Sequence, residues 1–324
     1  VINDEAYFAG YTEVLEQQAL EMAGMNNGFI FENRDVEGNL VKKSFFESIG
    51  ASIISDRDPT DMSAASWNDL TMGETVGVRS YKSAKERKAI SAFRELGEDP
   101  QVMSFALGAQ HSKATVISFL NSGLSAAVGA FSVVPDVQFD GTAVGDGTIN
   151  PEALVRMLDK MGDSSGKIVG LIMHSKMAHD LLGDQVASSV STIAGPSIYA
   201  GTFGSLGLPV FRTDSPALVD LDPAGDGSLP AEYKVLAVTE GAVRITEAQE
   251  RDILTRTDDT SANLAINMTL EYSFVTEVKG CQWTGANYPT DAELADSANW
   301  NYIYSDRRSG PGVIGTFNSR DSVA

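Results

Sequence analysis

An alternating pattern of apolar and polar residues between positions 263 and 278 constrains this chain most. The apolar set is Leu264, Ile266, Met268, Leu270, Tyr272, Phe274 and Val278, and the polar set is Asn263, Asn267, Thr269, Glu271, Ser273 and Glu277. A period of two predicts a β-strand with one buried face and one solvated face. A strand of about fifteen residues is about 50 Å long, although strands usually have about five or six residues.

A long helix is predicted upstream of this strand. Asp99 can cap free N–H groups, and Pro100 suits the first turn of a helix. Apolar residues then recur at spacings of three, four and seven, at Val102, Phe105, Ala109, Val116, Phe119, Leu120, Leu124, Ala127, Val128 and Phe131. A helix that runs to about Ala130 is about 45 Å long. Two elements of such length predict a flat, elongated subunit.

The N-terminal third predicts an arm and a hairpin. Residues 1–24 have helical spacing, which indicates an N-terminal helix or arm, and the carboxylates of Asp4, Glu5, Glu13 and Glu16 argue against a signal peptide. The β-type runs that follow predict an extended hairpin with little core of its own: Phe29-Ile30-Phe31, Ser52-Ile53-Ile54 and Val76-Gly77-Val78. Ser83 to Glu98 is predicted to be a charged helix. The basic residues Arg79, Lys82, Lys85, Arg87, Lys88 and Arg94 favour a solvated face over a phosphate contact.

The middle of the chain alternates between helix and strand. Asn150-Pro151 predicts a helix start, and Gly162 a stop. Lys167 to His174 is a nearly continuous apolar strand, and Ser175 is predicted to cap a short helix that ends before Gly183. Further strands are predicted at Leu208 to Phe211, Tyr233 to Thr239 and Ala242 to Thr246.

Charge and composition exclude several classes of protein. The 324 residues carry a net charge of −20, which disfavours binding to nucleic acid through a broadly basic surface. The single Cys281 cannot form an intramolecular disulfide and suits a reducing compartment. The uncharged run from Ala114 to Pro135 is long enough to span a membrane, but its serines, glycines and Asn121 favour a buried helix.

Several segments resemble catalytic or binding motifs without meeting their requirements. Gly162 to Lys167 has three residues between its glycines where a phosphate loop has four, and it precedes a strand, so a simple turn is predicted. Ser205 lacks the first glycine of a nucleophile elbow. Cys281 is interpreted as a packing residue.

Metal sites are equally incomplete. His174 and His179 are five residues apart without a zinc-protease motif, and His111 is the remaining histidine. Asp220, Asp222 and Asp226 lack the later ligands of a calcium loop, so an acidic surface turn is predicted. No catalytic, cofactor-binding or metal-binding residue and no cofactor is predicted. Carboxylate pairs of a glycosidase stay open because sequence separation does not fix their distance.

The order of the predicted parts, together with several segments, resembles a known family. These segments are Lys43-Ser44-Phe45-Phe46-Glu47-Ser48-Ile49, Gly108-Ala109-Gln110 to Leu120-Asn121, Gly207-Leu208-Pro209-Val210-Phe211, Gly280-Cys281-Gln282-Trp283 and the tail from Pro289-Thr290-Asp291-Ala292-Glu293-Leu294 to Ala298-Asn299-Trp300. Over nearly its whole length the chain resembles a tailed-bacteriophage major capsid protein with the Hong Kong 97 fold.

This resemblance implies an α+β fold and a non-enzymatic shell subunit. Its parts would be an N-terminal arm (1–35), an E-loop over a neighbour (36–82), a peripheral domain (83–135 and 256–282), an axial domain (136–255) and a C-terminal segment (283–324). Hexamers and pentamers would tile an icosahedral head around double-stranded DNA without sequence-specific contacts. Expected partners are portal, scaffolding and decoration proteins, with no membrane. The expected location is the virion, after assembly in the bacterial host cytoplasm.

Two alternatives remain open from the sequence. An encapsulin-type compartment would use the same fold to hold cargo enzymes instead of a genome. An acidic α/β hydrolase would use Ser, His and carboxylates and would be a monomer or a small oligomer, whereas a shell subunit forms megadalton particles. In the shell interpretation, the arm and the hairpin have too little apolar surface of their own and gain stability from neighbouring copies.

Overall fold

The computed structural model describes residues 5–7, 9–12, 28–33, 38–46, 72–89, 91, 100–192, 208–221, 223, 225, 229–258, 264–304 and 306–320. Its helices are α1 (Pro100–Phe131), α2 (Pro151–Asp159), α3 (Ser175–Thr192) and α4 (Asp291–Ala295). Its strands are β1 (Phe29–Asn33), β2 (Leu40–Phe46), β3 (Met72–Ala89), β4 (Gln138–Asp140), β5 (Ile168–His174), β6 (Val210–Thr213), β7 (Val219–Asp220), β8 (Glu232–Thr239), β9 (Val243–Asp258), β10 (Ala265–Val278), β11 (Cys281–Trp283), β12 (Trp300–Tyr302) and β13 (Gly312–Asn318). The helical residues 5–7 and 9–12 are called the N-terminal segment below.

The described strands form two sheets. The seven-stranded sheet has the order β1-β9-β10-β3-β11-β12, with β2 paired to β3. The six-stranded sheet has the order β4-β13-β8-β5-β6, with β7 paired to β8. Helices and strands are thus both abundant, and the predicted α+β class is confirmed.

Helix α1 lies at the centre of the core. Leu124 in its C-terminal half is fully buried, and the ring of Phe119 meets the edges of Tyr272 and Phe274 at centroid distances of 5.5 and 4.9 Å. The same apolar cluster includes Leu236 of the six-stranded sheet, so one core joins both sheets. Among the described residues, Ser104–Phe131 is the one helix apolar enough to span a membrane, and 72% of its most apolar window is buried in the protein. The prediction of a long buried helix is confirmed.

The capping signal at Asn150 acts as predicted, whereas Ser175, predicted as a cap, is the first residue of α3. Oδ1 of Asn150 accepts a hydrogen bond of 2.8 Å from the backbone N–H of Ala153, and α2 begins at Pro151. A 3₁₀ helix, Gly162–Lys167, then connects α2 to β5. This segment is therefore a turn between a helix and a strand, in agreement with the prediction.

The long alternating strand is confirmed as β10, with one difference just before its first residue and one in its interior. Leu264 lies before the strand and is 58% exposed, so it does not join the buried face. Ser273 was expected to be solvated but is fully buried, because Oγ of Ser273 accepts hydrogen bonds of 3.0 and 2.8 Å from the guanidinium of Arg79 on β3.

The predicted charged helix from Ser83 to Glu98 is wrong over residues 83–89. Residues 83–89 are the end of β3, which pairs with β10 from Val78↔Thr276 to Ala89↔Ala265. Lys, Glu and Arg favour helices only weakly, and a long partner strand overrides that preference by supplying backbone hydrogen bonds. Residue 91 is helical, and residues 90 and 92–98 lie outside the described part of the chain.

Two other boundaries differ from the predictions. Helix α3 continues through Gly183 to Thr192, because one glycine inside a helix costs only about 1 kcal/mol. Strand β9 was expected to end at Thr246 but runs to Asp258, since β10 offers a partner along the whole length.

The described part of the predicted hairpin consists of β2 and β3. Strands β2 and β3 pair antiparallel from Leu40↔Val78 to Phe46↔Met72. Strand β1 does not belong to it and pairs in parallel with β9. The predicted run Ser52-Ile53-Ile54 lies outside the described residues.

Sheet membership differs from the predicted domain boundaries at two points. Strand β9 begins in the segment assigned to the axial domain, yet it lies in one sheet with β10. Strand β13 comes from the C-terminal segment and lies between β4 and β8 in the six-stranded sheet. The domain division itself stays a prediction.

Candidate assembly surfaces

The N-terminal segment packs closely on α1 through two glycines. A Cβ on Gly10 would lie 2.3 Å from the carbonyl oxygen of Phe105, and a Cβ on Gly108 would lie 2.1 Å from the carbonyl oxygen of Tyr7. Only hydrogen fits at such distances, so a larger residue at either position would force the two helical segments apart.

A polar chain that is buried at Tyr7 and His111 and exposed at Glu86 joins the N-terminal segment, α1 and β3. Oη of Tyr7 lies 2.6 Å from Nδ1 of His111. Nε2 of His111 lies 3.0 Å from Oε2 of Glu86. This distance is short enough for an ion pair, but the two groups are not oriented for a hydrogen bond. Burial raises the pKa of Tyr7 above its ordinary value, and Tyr11 and Glu86 add to this shift. The Tyr7 hydroxyl therefore stays protonated.

The contact gives the N-terminal segment an apolar interface within its own subunit. Tyr7 and Tyr11 are 1% and 2% exposed, their rings stack at 6.3 Å, and Met268 of β10 packs against both. This differs from the expectation that the arm depends on neighbouring copies. Sequence reasoning missed the site, although tyrosines at i and i+4 beside a glycine are a usable signal for a close helix pair.

Ion pairs fix the hairpin to the body of the subunit. Lys43 of β2 pairs with Glu277 of β10. Nζ of Lys82 on β3 lies 2.8 Å from Oδ1 of Asp291, and the same carboxylate oxygen accepts a hydrogen bond of 2.5 Å from Oγ of Ser122 on α1. Asp291, the first residue of α4, thus links α4 to both β3 and α1.

Four side chains at the base of the hairpin form a group that is here called the tyrosine cluster: the exposed Tyr81 and Tyr288 and the half-buried Asn39 and Arg79. The rings of Tyr81 and Tyr288 meet edge to face at 5.3 Å. Nδ2 of Asn39 donates to the Tyr288 hydroxyl at 3.1 Å, and the Tyr81 hydroxyl donates to Oδ1 of Asn39 at 3.2 Å. The guanidinium carbon of Arg79 lies 5.0 Å from the centroid of the Tyr81 ring. No sequence motif predicted this group, because its members come from three separate segments.

The C-terminal segment packs against the end of α1. A Cβ on Gly129 would lie 2.3 Å from the carbonyl oxygen of Leu294, and Nε1 of Trp300 donates to that same oxygen at 2.8 Å. The indole of Trp300 meets Trp283 at 5.1 Å. Residues from the predicted tail therefore complete the core.

The three histidines occupy separate places. His111 is buried on α1, His174 ends β5, and His179 is exposed on α3. Nε2 of His174 lies 3.9 Å from Oδ1 of Asp214, and burial lowers the pKa of His174 while Asp214 opposes the shift. Within the described ranges no group of three or more His, Cys, Asp or Glu could hold a metal ion.

The remaining candidates for chemistry are structural or lie outside the described residues. Cys281 is fully buried with Sγ 3.8 Å from the carbonyl oxygen of Ala130, and burial raises the pKa of its thiol to about 12. A thiol in this environment stays protonated and packs, as predicted. Ser205, Asp222 and Asp226 are outside the described part of the chain.

Two sheets joined by one long helix, with an attached hairpin, make up the fold of phage capsid proteins. The capsid asymmetric unit of cyanophage Pam1 is similar at a TM-score of 0.53 and 14% identity, over 90% of this chain and 88% of that one. The capsid of the Helicobacter pylori bacteriophage KHP30 is similar at 0.53 and 9% identity, over 91% and 89%. The capsid of Ralstonia phage GP4 is similar at 0.53 and 11% identity, over 92% and 88%. At these identities the likeness concerns the fold.

The chain belongs to the Gp13-like family, described as major capsid protein 13-like, whose pattern matches residues 1–314. No curated protein sequence matches it. Family membership makes the chain a structural subunit of a phage head, places it in the virion and sets it apart from enzymes. The encapsulin and hydrolase alternatives are not favoured by these findings.

Proposed function

We propose that this chain is the repeating wall subunit of an icosahedral phage head of Hong Kong 97 type, which assembles into hexamers and pentamers around double-stranded DNA. Head-to-tail contacts between identical subunits close into rings when the rotation permits, and such rings can tile a shell. The family match and the capsid structures of similar fold support this proposal.

Exposed apolar side chains on the long elements carry the proposal. Val102 and Ile117 of α1 are 58% and 54% exposed, and Leu254 of β9 is 50% exposed. These residues lie on elements that are longer than a lone domain of this size needs. Contacts with neighbouring copies would remove this surface from water, which favours assembly.

The predicted division of the chain is part of the same proposal. Residues 1–35 would be the arm, 36–82 the E-loop over a neighbour, 83–135 with 256–282 the peripheral domain, and 136–255 the axial domain. The C-terminal residues 283–324 would complete both sheets, which is supported by the positions of β12 and β13.

The enclosed DNA would contact the wall weakly and without sequence preference. A net charge of −20 per copy repels phosphates, so packing and ejection would meet little resistance from tight binding. Portal, scaffolding and decoration proteins are the expected further partners, and the host cytoplasm is the expected place of assembly.

Sizing chromatography followed by negative-stain imaging tests the proposal. We expect megadalton particles with icosahedral outlines, and nuclease-protected DNA in particles purified from infected cells. A stable monomer or dimer at all concentrations would overturn the proposal. Protected cargo enzymes without DNA would instead indicate a compartment shell. DNA-free particles that bound duplex DNA as tightly as a basic protein at physiological salt would contradict the weak-contact part alone.

A further inference from the structure

We propose that the tyrosine cluster is a contact site for a second copy of this chain in the shell, an inference that rests on the proposed function. Tyr81 and Tyr288 are 45% and 58% exposed in the single subunit. Tyrosine and arginine are the residues most enriched where protein interfaces concentrate their binding energy.

The cluster is held rigid before any partner arrives. Arg79 donates from Nε and Nη2 to Ser273 Oγ and from Nη1 to the carbonyl oxygen of Gly38 at 3.4 Å, so the cation under Tyr81 is fixed. Asn39 bridges both tyrosine hydroxyls. Side chains that are already ordered lose little conformational entropy on binding, which makes them efficient contacts.

The backbone at Tyr288 supports a role outside the folding of the subunit. Tyr288 has φ of 62°, in the left-handed region that a bulky residue rarely occupies. Glycine or asparagine would fit this conformation with less strain. A need for a buried aromatic ring does not explain the choice of tyrosine, since Tyr288 is 58% exposed. A strained residue that keeps a large side chain in solvent is typical of a binding position.

The chemistry of the cluster suits an acceptor-rich partner. The oxygen of the Tyr288 hydroxyl accepts from Asn39, which leaves its hydrogen for an acceptor outside the cluster. Arg79 adds positive potential below the neighbouring ring. A second copy fits this description, because each chain carries 44 Asp and Glu residues and lies beside others in a shell. A protein partner is favoured over DNA because the guanidinium of Arg79 is engaged within the subunit.

Photo-crosslinking in assembled particles identifies the occupant. With p-benzoylphenylalanine in place of Tyr288, irradiated particles should yield a band of twice the chain's mass, with the cross-link between residue 288 of one copy and a peptide of another. The same variant kept dilute and unassembled should yield no such band. A cross-link in particles only to DNA or to a different protein, or none at all, would overturn the inference.

A pair of substitutions separates a contact role from a structural one. Asparagine tolerates the left-handed conformation, so Tyr288→Asn should leave the unfolding midpoint of the isolated subunit unchanged or raise it. The subunit concentration needed for half-maximal assembly should rise at least about tenfold, which corresponds to about 1.4 kcal/mol. Tyr288→Phe keeps the ring and should show a smaller rise.

A matched control is Val155→Ala on α2, which removes exposed apolar surface far along the chain from the cluster. Its assembly should resemble that of the unchanged protein. Unaltered assembly of Tyr288→Asn, or an equal defect in Val155→Ala, would contradict the inference. The unchanged protein is tested in parallel. If it fails to form particles, that result counts against the proposed function and not against the role of the tyrosine cluster.

Discussion

Two glycines decide how the N-terminal segment is held. At Gly10 and Gly108 the backbones of two helical segments approach so closely that a methyl group would overlap a carbonyl oxygen. Glycine weakens an isolated helix, but here Gly10 and Gly108 permit the burial of Tyr7 and Tyr11. Burial of two aromatic side chains outweighs the propensity cost, because each contributes about 2 kcal/mol or more and the glycine costs about 1.

Gly108→Ala should therefore destabilise the protein, although alanine is the better helix former. A Cβ at 2.1 Å from a backbone oxygen forces the segments apart, and we expect a loss of about 1–3 kcal/mol in the free energy of unfolding. Faster hydrogen exchange at residues 5–12 and a lower urea midpoint would measure it. The control is Gly183→Ala in α3, where the nearest atom is the flexible end of Arg320 at 3.4 Å and a gain of up to about 1 kcal/mol is expected. Equal stabilisation by both changes would show that the close contact is absent.

The buried thiol of Cys281 should make stability fall in alkali. Its pKa is raised from 9.0 to about 12, so the folded state keeps a proton that the unfolded state has lost. The contribution is complete below pH 9 and disappears as the pH rises toward 12, at most about 1.4 kcal/mol per pH unit. Cys281→Ala removes this titration, and its free energy of unfolding should decline less steeply over that window. Tyr7, Tyr302 and Tyr304, whose pKa values are also raised chiefly by burial, steepen both curves above their ordinary value of 10. Cys281 adds to the shifts of Tyr302 and Tyr304, so its replacement by alanine reduces those two shifts and flattens the curve further. Identical slopes for the two proteins would refute the assignment.

Among the elements, strand β3 has the most demanding position. It pairs with β2 near its start, with β10 near its end and with β11 at Val76. Its charged half has no apolar alternation, so local pattern favours a helix there, and only the presence of β10 makes it a strand. Arg87, one of the basic residues that suggested a solvated face, is 49% exposed on this strand and forms an ion pair with Asp258 of β9, on the far side of β10.

Asp291→Asn should loosen the attachment of the hairpin without unfolding the subunit. The pair with Lys82 is partly exposed, at 22% and 43% of the two side chains, so about 0.5–1 kcal/mol is expected at low salt and less at 1 M salt. Hydrogen exchange of the β3 amides and urea unfolding at the two salt concentrations would measure this. Lys42→Gln is the control, since its pair with Glu74 is 60% and 49% exposed and should contribute nothing measurable. A loss that does not depend on salt would point to packing instead of charge.

At the scale of the whole molecule, net charge should control assembly. Copies with a charge of −20 repel one another, and salt shortens the range of this repulsion from about 30 Å at 0.01 M to about 10 Å at 0.1 M. Light scattering should therefore show faster assembly at 0.1 M than at 0.01 M salt. Equal molar amounts of a neutral osmolyte serve as the control and should not accelerate assembly to the same degree. Slower assembly on adding salt would mean that attractive ion pairs between copies dominate.

The sequence by itself determined the long elements and the class of protein. The helix start at Pro100, the cap at Asn150 and the alternation of β10 depend on neighbouring residues, so they can be recognised without knowing the fold. The buried, inert state of Cys281 followed from its lack of any motif. Resemblance over the whole chain supplied the capsid function.

Tertiary structure alone decided the rest. Whether residues 83–89 are strand and how the N-terminal segment meets α1 depend on partners that are more than a hundred residues away. How far β9 extends depends on its pairing with β10, the next strand along the chain. The same holds for Asn39, Tyr81 and Tyr288, which are brought together across 249 positions of the chain. Periodicity and capping report only interactions within a few residues, whereas strand pairing and side-chain contacts between segments are chosen by the free energy of the complete fold.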